Sequence, residues 1–495
     1  MESKYKVIAM SDENEKEQVK ALTAKKKDNF SEWYTQILIN SEFIDYSAVS
    51  GVIVFRPSSY YVWDKIREAT DVLFKEAGIK DAYFPLFIPE RFLNKEKEHI
   101  AGFNPEVAWV TGAGNSTFDE RLAVRPTSET IMYDSYSRWI KSWRDLPLRL
   151  NQWNNVVRWE FKHPTPFIRS REFLWNEGHT AFATEKEALE EREQVLGIYS
   201  KVLKEVLALE GVPGKKTNKE KFAGAIASYS IEMLMPDGWA IQGPDFHNDG
   251  QNFSKSFDIK FTDKNGNYQY VHQNTFAIST RMIGIMVAMH SDDKGLVIPP
   301  KLAEIQVVII PIYNDSNKEK ILKYAEELKS KMKDLRVYVD SSDAYSPGWK
   351  FNEYELKGIP IRLEIGQKEY EGRFATAKRR DTGEKFTFNV DESESKIKGT
   401  LDKIHENLYN KTKEFLESHI HKVYDYEKFK DLIGKDSGFV QAPWCGSTEC
   451  EDKIAEETKA KATNMPFDAQ HDLDGKKCIY CGKEAKYFVN FARSY

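Results

Sequence analysis

The spacing of hydrophobic and polar positions changes along the chain, and each change marks an element. NFSEWYTQILINSEFI, after the basic run Lys25–Lys27, carries apolar side chains at helical spacing and predicts a leading amphipathic helix. In SSYYVWDKIREATDVLFKEAG, Trp63, Ile66 and Leu73 fall on one stripe, and Gly78 follows as the expected C-terminal cap. A second helix is expected from about Glu185 to Glu210, opened by Thr184 and Glu187 at capping-box spacing and stopped at Gly211. Between and after these helices lie the aromatic-rich stretches RWEF, EFLWNEG, KSFDIKF and NYQYVHQ. The last three alternate, as at Phe257, Ile259 and Phe261, and predict an antiparallel sheet with one face buried and the other available for chemistry.

The texture changes at LVIPPKLAEIQVVIIPIY, where Pro299 and Pro300 precede a continuous apolar strand, and a domain boundary is expected there. QVVIIPI, KEKILKYAEELKSKM, RVYVD, WKFNEYELKG and PIRLEIG then alternate strand, helix, strand, helix, strand, a small α/β domain with some parallel pairing. A charged helix leads on to a cysteine-bearing C-terminus. The expected layout is a helical extension over 1–47, an α+β domain over 48–300, an α/β domain over 301–405 and a C-terminal domain over 406–495.

Composition narrows this picture. Hydrophobic residues make up 41% of the 495 and charged residues 30%, and no apolar run approaches the ~20 residues needed to cross a bilayer, so a soluble protein without a membrane partner is expected. MESKYKVIAMSDENEKEQVK lacks the basic-then-apolar layout of a secretory signal, which makes the cytoplasm the expected location. All four cysteines fall between Cys445 and Cys481, spaced C-x4-C, a gap of 27 residues, then C-x2-C. In a reducing compartment Cys445, Cys450, Cys478 and Cys481 suit a structural tetrahedral zinc site, with unliganded thiols as the alternative. A net charge of −5 excludes blanket coating of nucleic acid but leaves room for a local basic patch such as Lys378, Arg379, Arg380 and Lys385, unless these form a merely solvated face.

Three segments carry candidate chemistry. If VVRWEF is a strand, Arg158 and Glu160 share one face while Trp159 and Phe161 share the other. After the loop KHPTPFIRSR, a second strand aligns Phe173, Trp175, Glu177 and His179. Arg158 and Arg169 then flank the hairpin as a fork suited to a phosphate or carboxylate, although a surface hairpin with solvated ion pairs competes with this reading. In RPTSETIMYDSYSRWI, Thr127 or Ser128 suits a helix N-cap and Glu129 its first turn, and capping alone accounts for them. HQNTFAISTRMIGIMVAMH reads as a strand that turns into an apolar helix at about Ser279. Arg281 then sits in the first turn, where the dipole disfavours a cation unless an anion binds beside it.

Together these segments resemble the three signature motifs of class II aminoacyl-tRNA synthetases: Pro85 in AGIKDAYFPLFIP for the first, VVRWEF with its loop for the second, STRMIG for the third. Within that class, RPTSET, NQWNNVVRWEFKHPTPFIRSREFLWNEGH, GQNFSK, YSPGWKFNEYELKGIPIRLE, RRDTGEK and the final FARSY resemble the prolyl-tRNA synthetases of archaeal and eukaryotic type, from about Gly51 to Tyr495. The resemblance implies a catalytic α+β domain built on an antiparallel sheet over 48–300, an anticodon-binding α/β domain over 301–405 and a small zinc-binding C-terminal domain over 406–495. It also implies a homodimer with the Pro85 segment at its interface, ATP-dependent activation of L-proline to prolyl-adenylate, and transfer to the 3′ end of tRNA(Pro).

By motif, the resemblance implies that Arg158 bridges the proline carboxylate and the α-phosphate, Glu160 and Arg169 hold the nucleotide, and Arg281 faces its β- and γ-phosphates. Thr127 and Glu129 grip the imino group, and Phe173, Trp175, Glu177 and His179 shape the proline pocket. His247 and Ser279 complete the proline side, Gln242 and Thr280 the ATP side. Mg2+ is expected with the triphosphate, without an assigned protein ligand.

Proline anticodons present two guanines, whose edges suit Glu355 and Arg362, with Lys350 as a further candidate. No editing domain fits between Phe182 and Ala240, a gap filled mostly by one helix. One departure stands out: many relatives read Gly-Thr-Ser-His where this chain has Gly243, Pro244, Asp245, Phe246 and His247, and Asp245 is a candidate acceptor from the adenosine side. A synthetase-like, non-catalytic RNA-binding protein is the alternative, and it predicts loss of the motif arginines, which are present. A threonine-specific relative needs a catalytic zinc in its pocket, whereas every cysteine here is C-terminal.

Overall fold

The computed structural model describes residues 21–99, 106–160, 163–471 and 473–495, the side chains of 95–99 excepted. Phe161 and residues 1–20 lie outside the described residues. The chain divides into two compact units, one of residues 43–291, 298–304 and 402–495, the other of residues 292–297 and 305–401 with the described part of 1–42.

The larger unit is organised by one eleven-stranded sheet. It runs from Lys80–Asp81 through Leu148–Val157, Glu172–Phe182, His272–Ala277, Ala240–Gly250, Ala227–Leu234 and Val212–Lys215, and continues through Lys461–Pro466, Tyr487–Ala492, Phe439–Trp444 and Ile420–Lys422. Only the two edge pairings are parallel. Residues 406–495, expected as a domain of their own, therefore extend the sheet of the first: Met465 pairs with Lys215, and Asn464 Nδ2 donates to the Val212 carbonyl at 2.8 Å. Residues 183–239 hold one long helix with its terminal turn and two strands of this sheet.

Local sequence explains most of the elements. The Pro57–Glu76 helix buries Trp63, Ile66, Thr70 and Phe74; Phe74 replaces the expected Leu73 as the end of the stripe, because it meets Phe276 and Tyr199 at ring distances of 5.4 and 5.9 Å. Gly78, at φ +80°, ends the helix in a Schellman motif, with Ile79 N–H donating to Phe74 O and Gly78 N–H to Lys75 O. The Glu185–Val202 helix opens with the Thr184/Glu187 capping box, as expected. It ends earlier than Gly211, in a π turn over Leu203–Leu207 closed by Ala208 at φ +54°, since that wider turn buries Leu203, Leu207, Ala208 and Leu209 together.

Two strand expectations fail. KSFD is the end of a short helix, Asn252–Ser256, and Phe257 and Ile259 are buried not by alternation but by closing around Tyr133 ahead of the Lys260–Thr262 strand. VVRWEF is strand only to Val157, where pairing with Glu172 stops, so Arg158 and Glu160 follow the strand end and are not part of it.

In the smaller unit, Val337–Val339, Val307–Pro311 and Ile361–Ile365 pair in parallel, and Phe374–Arg379 and Lys385–Asn389 add an antiparallel hairpin. Val307 to Ile310 are completely buried, the signature of a strand covered on both faces. The Phe30–Asn40 helix belongs to this unit, burying Trp33, Tyr34, Ile37 and Leu38 and donating from Trp33 Nε1 to the Asp292 carbonyl.

Gly178, in the Glu172–Phe182 strand, is where packing constrains the site most tightly. A methyl group there would lie 1.9 Å from the Phe276 ring, which is itself stacked on Phe246 and edge-on to Phe74. Gly178→Ala is expected to lower stability by ~1–3 kcal/mol in denaturant melts. Gly197→Ala, on a helix with nothing within 4 Å of the added methyl, is expected to leave stability unchanged or raise it by up to ~1 kcal/mol.

Candidate active site

The site lies on the face of the large sheet crossed by the Glu129–Trp139 helix, as two adjoining cavities of about 560 and 320 Å³. Arg158, Glu160, Trp175, Gln242 and Asp245 line both.

The larger cavity has a buried acidic end. The Glu177 carboxylate accepts from Thr127 Oγ1 (2.9 Å), Ser128 N (2.8 Å), Ser128 Oγ (2.5 Å), Gln152 Nε2 (3.1 Å) and Asn154 Nδ2 (2.8 Å). Burial pushes its pKa up, but His179, with Nε2 at 3.9 Å, and the bonds from Ser128 and Asn154 outweigh this and hold it at about 2. Ser128 is the residue before the helix, yet its hydroxyl caps nothing and is spent on Glu177; the capping reading of Thr127 and Ser128 fails for that reason.

Glu129 lies beside them, its carboxyl against the Thr127 hydroxyl, whose one proton it shares with Glu177. Burial raises its pKa and Glu177 adds to that, against the opposing pull of His179. His179 is fixed by Tyr133, whose hydroxyl is 3.2 Å from Nδ1. One oxygen or nitrogen from each of Glu129, Glu177 and His179 lies within 4.8 Å of the others. Such a cup favours a small cation that donates hydrogen bonds, because only that guest lets Glu129 ionise next to Glu177.

The smaller cavity is lined by Arg158, Arg169 and Arg281. Arg158 is anchored by Nε to the Pro126 carbonyl at 2.9 Å, with its guanidinium 5.0 Å above the Trp175 ring. Arg281 is the first residue of its helix and is half-buried, bonded to the carbonyls of Ile168 and Gln242 at 3.2 Å each. Burial lowers its pKa, Asp245 opposes this, and Arg169 and Arg158 lower it further. A helix N-terminus and three guanidinium groups around one space are at their most stable when an anion fills it.

Most of the expected site residues converge here, with reassignments. Phe173 lines the arginine cavity rather than the acidic cup, since the strand carries it one pleat beyond Trp175 toward the Arg158 edge; Ser279 also lines the arginine side. Thr280 lines neither, its side chain being completely buried beneath the helix start. Gln242 and His247 face the larger cavity, where His247 stacks on Phe222 at 4.8 Å and holds Ser228 Oγ at 2.8 Å from Nδ1. Burial lowers the His247 pKa, Asp245 raises it and Lys216 lowers it again, with a net downward shift. Sequence reasoning missed Gln152, Asn154 and Ser128 as the cradle of Glu177. The signal was present, since Gln152 and Asn154 alternate on one strand face in NQWNN.

In the smaller unit the expected RNA-facing residues are largely engaged. Lys350 is buried and spends its ammonium on Asp340 Oδ1 (3.0 Å) and the carbonyls of Asp340 (3.0 Å) and Ser342 (2.6 Å), so it buttresses a loop and has no proton left for a base. Arg362 bonds Glu364 and the Phe351 carbonyl, while Glu355 stays partly accessible beside Lys378 and Lys294. The basic patch is neutralised in place: Lys378 meets Glu355, Arg379 meets Asp381 and Glu384, Arg380 meets Asp292, and Lys385 meets Glu364. At the C-terminus all four cysteine sulfurs lie within 4.8 Å of one another, with Cys445 3.6 Å from Cys450 and 3.7 Å from Cys481.

Comparison with known proteins finds three family matches along the chain: the tRNA synthetase class II core domain (G, H, P, S and T) over residues 112–290, an anticodon binding domain over 306–400, and the prolyl-tRNA synthetase C-terminal family over 426–495. The proline–tRNA ligase of Lachnoclostridium phytofermentans is 47% identical across 97% of this chain and all of its own length, and that of Clostridium novyi is 47% identical across 96% and 98%. Among solved structures, prolyl-tRNA synthetase from Cryptosporidium parvum complexed with halofuginone and AMPPNP matches with a TM-score of 0.92 at 43% identity, covering 96% of this chain and 99% of that one.

The Glu177 network has a pH signature. With its pKa held at about 2, against 4.5 ordinarily, Glu177 contributes stability that is fully present above the ordinary value and is lost as pH falls toward 2. Glu177→Gln, which leaves buried donors facing an amide, is expected to destabilise the protein at pH 7 by roughly 2–4 kcal/mol and to lose less than the unaltered protein between pH 5 and 2 in melting experiments.

Proposed function

The chain belongs to the prolyl-tRNA synthetases of class II, enzymes that ligate proline to tRNA, and we propose that the two adjoining cavities perform both halves of that reaction. The observation that carries this assignment of parts is the junction of a buried acidic cup with a cavity ringed by Arg158, Arg169 and Arg281. L-proline places its cationic imino group among Thr127, Glu129, Glu177 and His179, with Trp175 as the wall. AMPPNP in the Cryptosporidium parvum complex supports an adenine nucleotide in the arginine cavity, where Phe173 offers a ring face, Glu160 and Gln242 offer polar contacts, and Arg169 and Arg281 meet the phosphates.

In the first step a proline carboxylate oxygen bonds to the α-phosphorus of ATP and the bond to the β-phosphate bridge breaks, releasing pyrophosphate. In the second, the 3′-terminal hydroxyl of tRNA(Pro) attacks the prolyl carbonyl and AMP leaves. No side-chain nucleophile is required. Arg158, held between Pro126 and Trp175 where the cavities meet, spans the carboxylate and the α-phosphate, so positioning and charge stabilisation do the chemistry. Mg2+ bound to the triphosphate would neutralise part of its charge.

The finer parts of the reading rest on particular features. Four thiolates around one zinc at ~2.3 Å each stand about 3.8 Å apart, and the 3.6 and 3.7 Å sulfur separations fit that geometry, which supports a closed structural site of Cys445, Cys450, Cys478 and Cys481. Residues 183–239 hold only elements of the core, which supports a layout without editing in cis, and the likeness to the Cryptosporidium parvum enzyme supports the archaeal and eukaryotic type. Glu355 and Arg362 are the proposed anticodon readers. Homodimerisation at the Pro85 segment and residence in the cytoplasm are proposed by likeness to the family; no helix among the described residues is long and apolar enough to cross a membrane. A non-catalytic RNA-binding role is disfavoured because it leaves the convergence of three arginines without a purpose.

ATP–pyrophosphate exchange is expected with proline and not with serine or threonine, and exchange with either of those alone would overturn the reading. Arg281→Ala is expected to reduce exchange at least ~100-fold with the fold intact by circular dichroism. Protein prepared without chelator is expected to carry about one zinc per chain by elemental analysis, and Cys478→Ser to abolish it.

A further inference from the structure

The Pro244–Asp245–Phe246 segment divides its side chains between the two faces of the sheet. Phe246 points away from the site and is completely buried, stacked on Phe276 with an interplanar angle of 2°. Asp245 and His247, two positions apart in the same strand, face the cavities. Asp245 is one of the few residues that line both, so it stands where the arginine cavity opens into the larger one.

An acidic side chain at the rim of a phosphate site requires an account. Facing the phosphates it would repel them, so it suits a group that donates hydrogen bonds rather than an anion. Its own partners fix its aim. Oδ2 accepts from Gln242 Nε2 at 2.7 Å, whereas Oδ1 is 3.8 Å from His247 Nε2, beyond hydrogen-bond distance, and no side chain among the described residues donates to it. About a fifth of the side chain remains exposed to the cavities. The result is a fixed acceptor with one oxygen unspent, placed where the two cavities meet.

The neutral donors that reach this junction in either half-reaction are ribose hydroxyls, those of ATP in the first and those of the terminal adenosine of tRNA in the second. We propose that Asp245 is a specificity-determining residue that accepts a hydrogen bond from a ribose hydroxyl and so selects ribonucleotides over their deoxy counterparts. This rests on the assignment of the two cavities to proline and nucleotide given above.

The test uses the full-length protein, its Asp245→Ala variant and the isosteric Asp245→Asn, with ATP, 2′-dATP and 3′-dATP in proline-dependent pyrophosphate exchange. A second arm measures single-turnover prolyl transfer to tRNA(Pro) ending in adenosine or 2′-deoxyadenosine. A hydrogen bond to a charged acceptor corresponds to discrimination of roughly 10- to 100-fold in kcat/KM. If Asp245 reads the nucleotide, the unaltered protein prefers ATP by that factor in the first arm, Asp245→Ala brings the ratio to within about twofold by losing activity on ATP alone, and Asp245→Asn falls between. If it reads the terminal adenosine, the same pattern is found in the second arm only. Ratios that do not depend on residue 245 in either arm overturn the proposal while leaving the enzymatic assignment standing; absence of proline-dependent exchange in the unaltered protein overturns both.

Discussion

A carboxylate removed from water must be matched by fixed donors, and the Glu177 cluster shows how much of this fold answers to that requirement. Its partners come from three places: the start of the Glu129–Trp139 helix, the Leu148–Val157 strand, and His179 one pleat away. Satisfying one side chain therefore fixes the helix against the sheet and sets the strand register, since Gln152 stands directly opposite Glu177. The functional consequence is a cup whose negative charge is already organised before a ligand enters. Glu129 is left as the group whose ionisation a cationic guest completes.

The second constraint is repulsion. Arg158, Arg169 and Arg281 come from the end of one strand, the loop after it and the first turn of a helix more than a hundred residues away. Arg158 is held by the Pro126 carbonyl and an aromatic face and Arg281 by two backbone carbonyls, partners that direct a guanidinium without neutralising it. The charge is thereby reserved for the ligand. Asp245 is the local exception, an acidic side chain at the junction of the two cavities.

The smaller unit shows the opposite use of charge. Lys378, Arg379, Arg380 and Lys385 form a dense basic run in sequence, but every one of them faces a carboxylate on the sheet, on the Pro347–Leu356 helix or in the adjoining loops. Lys350 is absorbed into a loop by Asp340 and two carbonyls. Counting like charges along a chain measures composition, whereas the field presented to a partner depends on which counter-charges the fold brings alongside.

The sequence by itself determined the periodic and punctuated parts of this protein. The amphipathic stripe of Pro57–Glu76 with its Gly78 cap, the Thr184/Glu187 capping box, the buried Val307–Ile310 run and the close spacing of the four cysteines all depend on neighbours within a few positions, and such patterns survive in one dimension. The motif segments likewise disclosed the family and most of the residues that meet in the site. Tertiary structure alone decided the rest. It ended the VVRWEF strand at Val157, turned KSFD into a helix end, moved Phe173 to the arginine side, hid Thr280, and joined the C-terminal strands to the catalytic sheet. Those outcomes rest on contacts between residues far apart in the chain, where burial, counter-charge and ring packing outweigh local preference, so no local pattern records them.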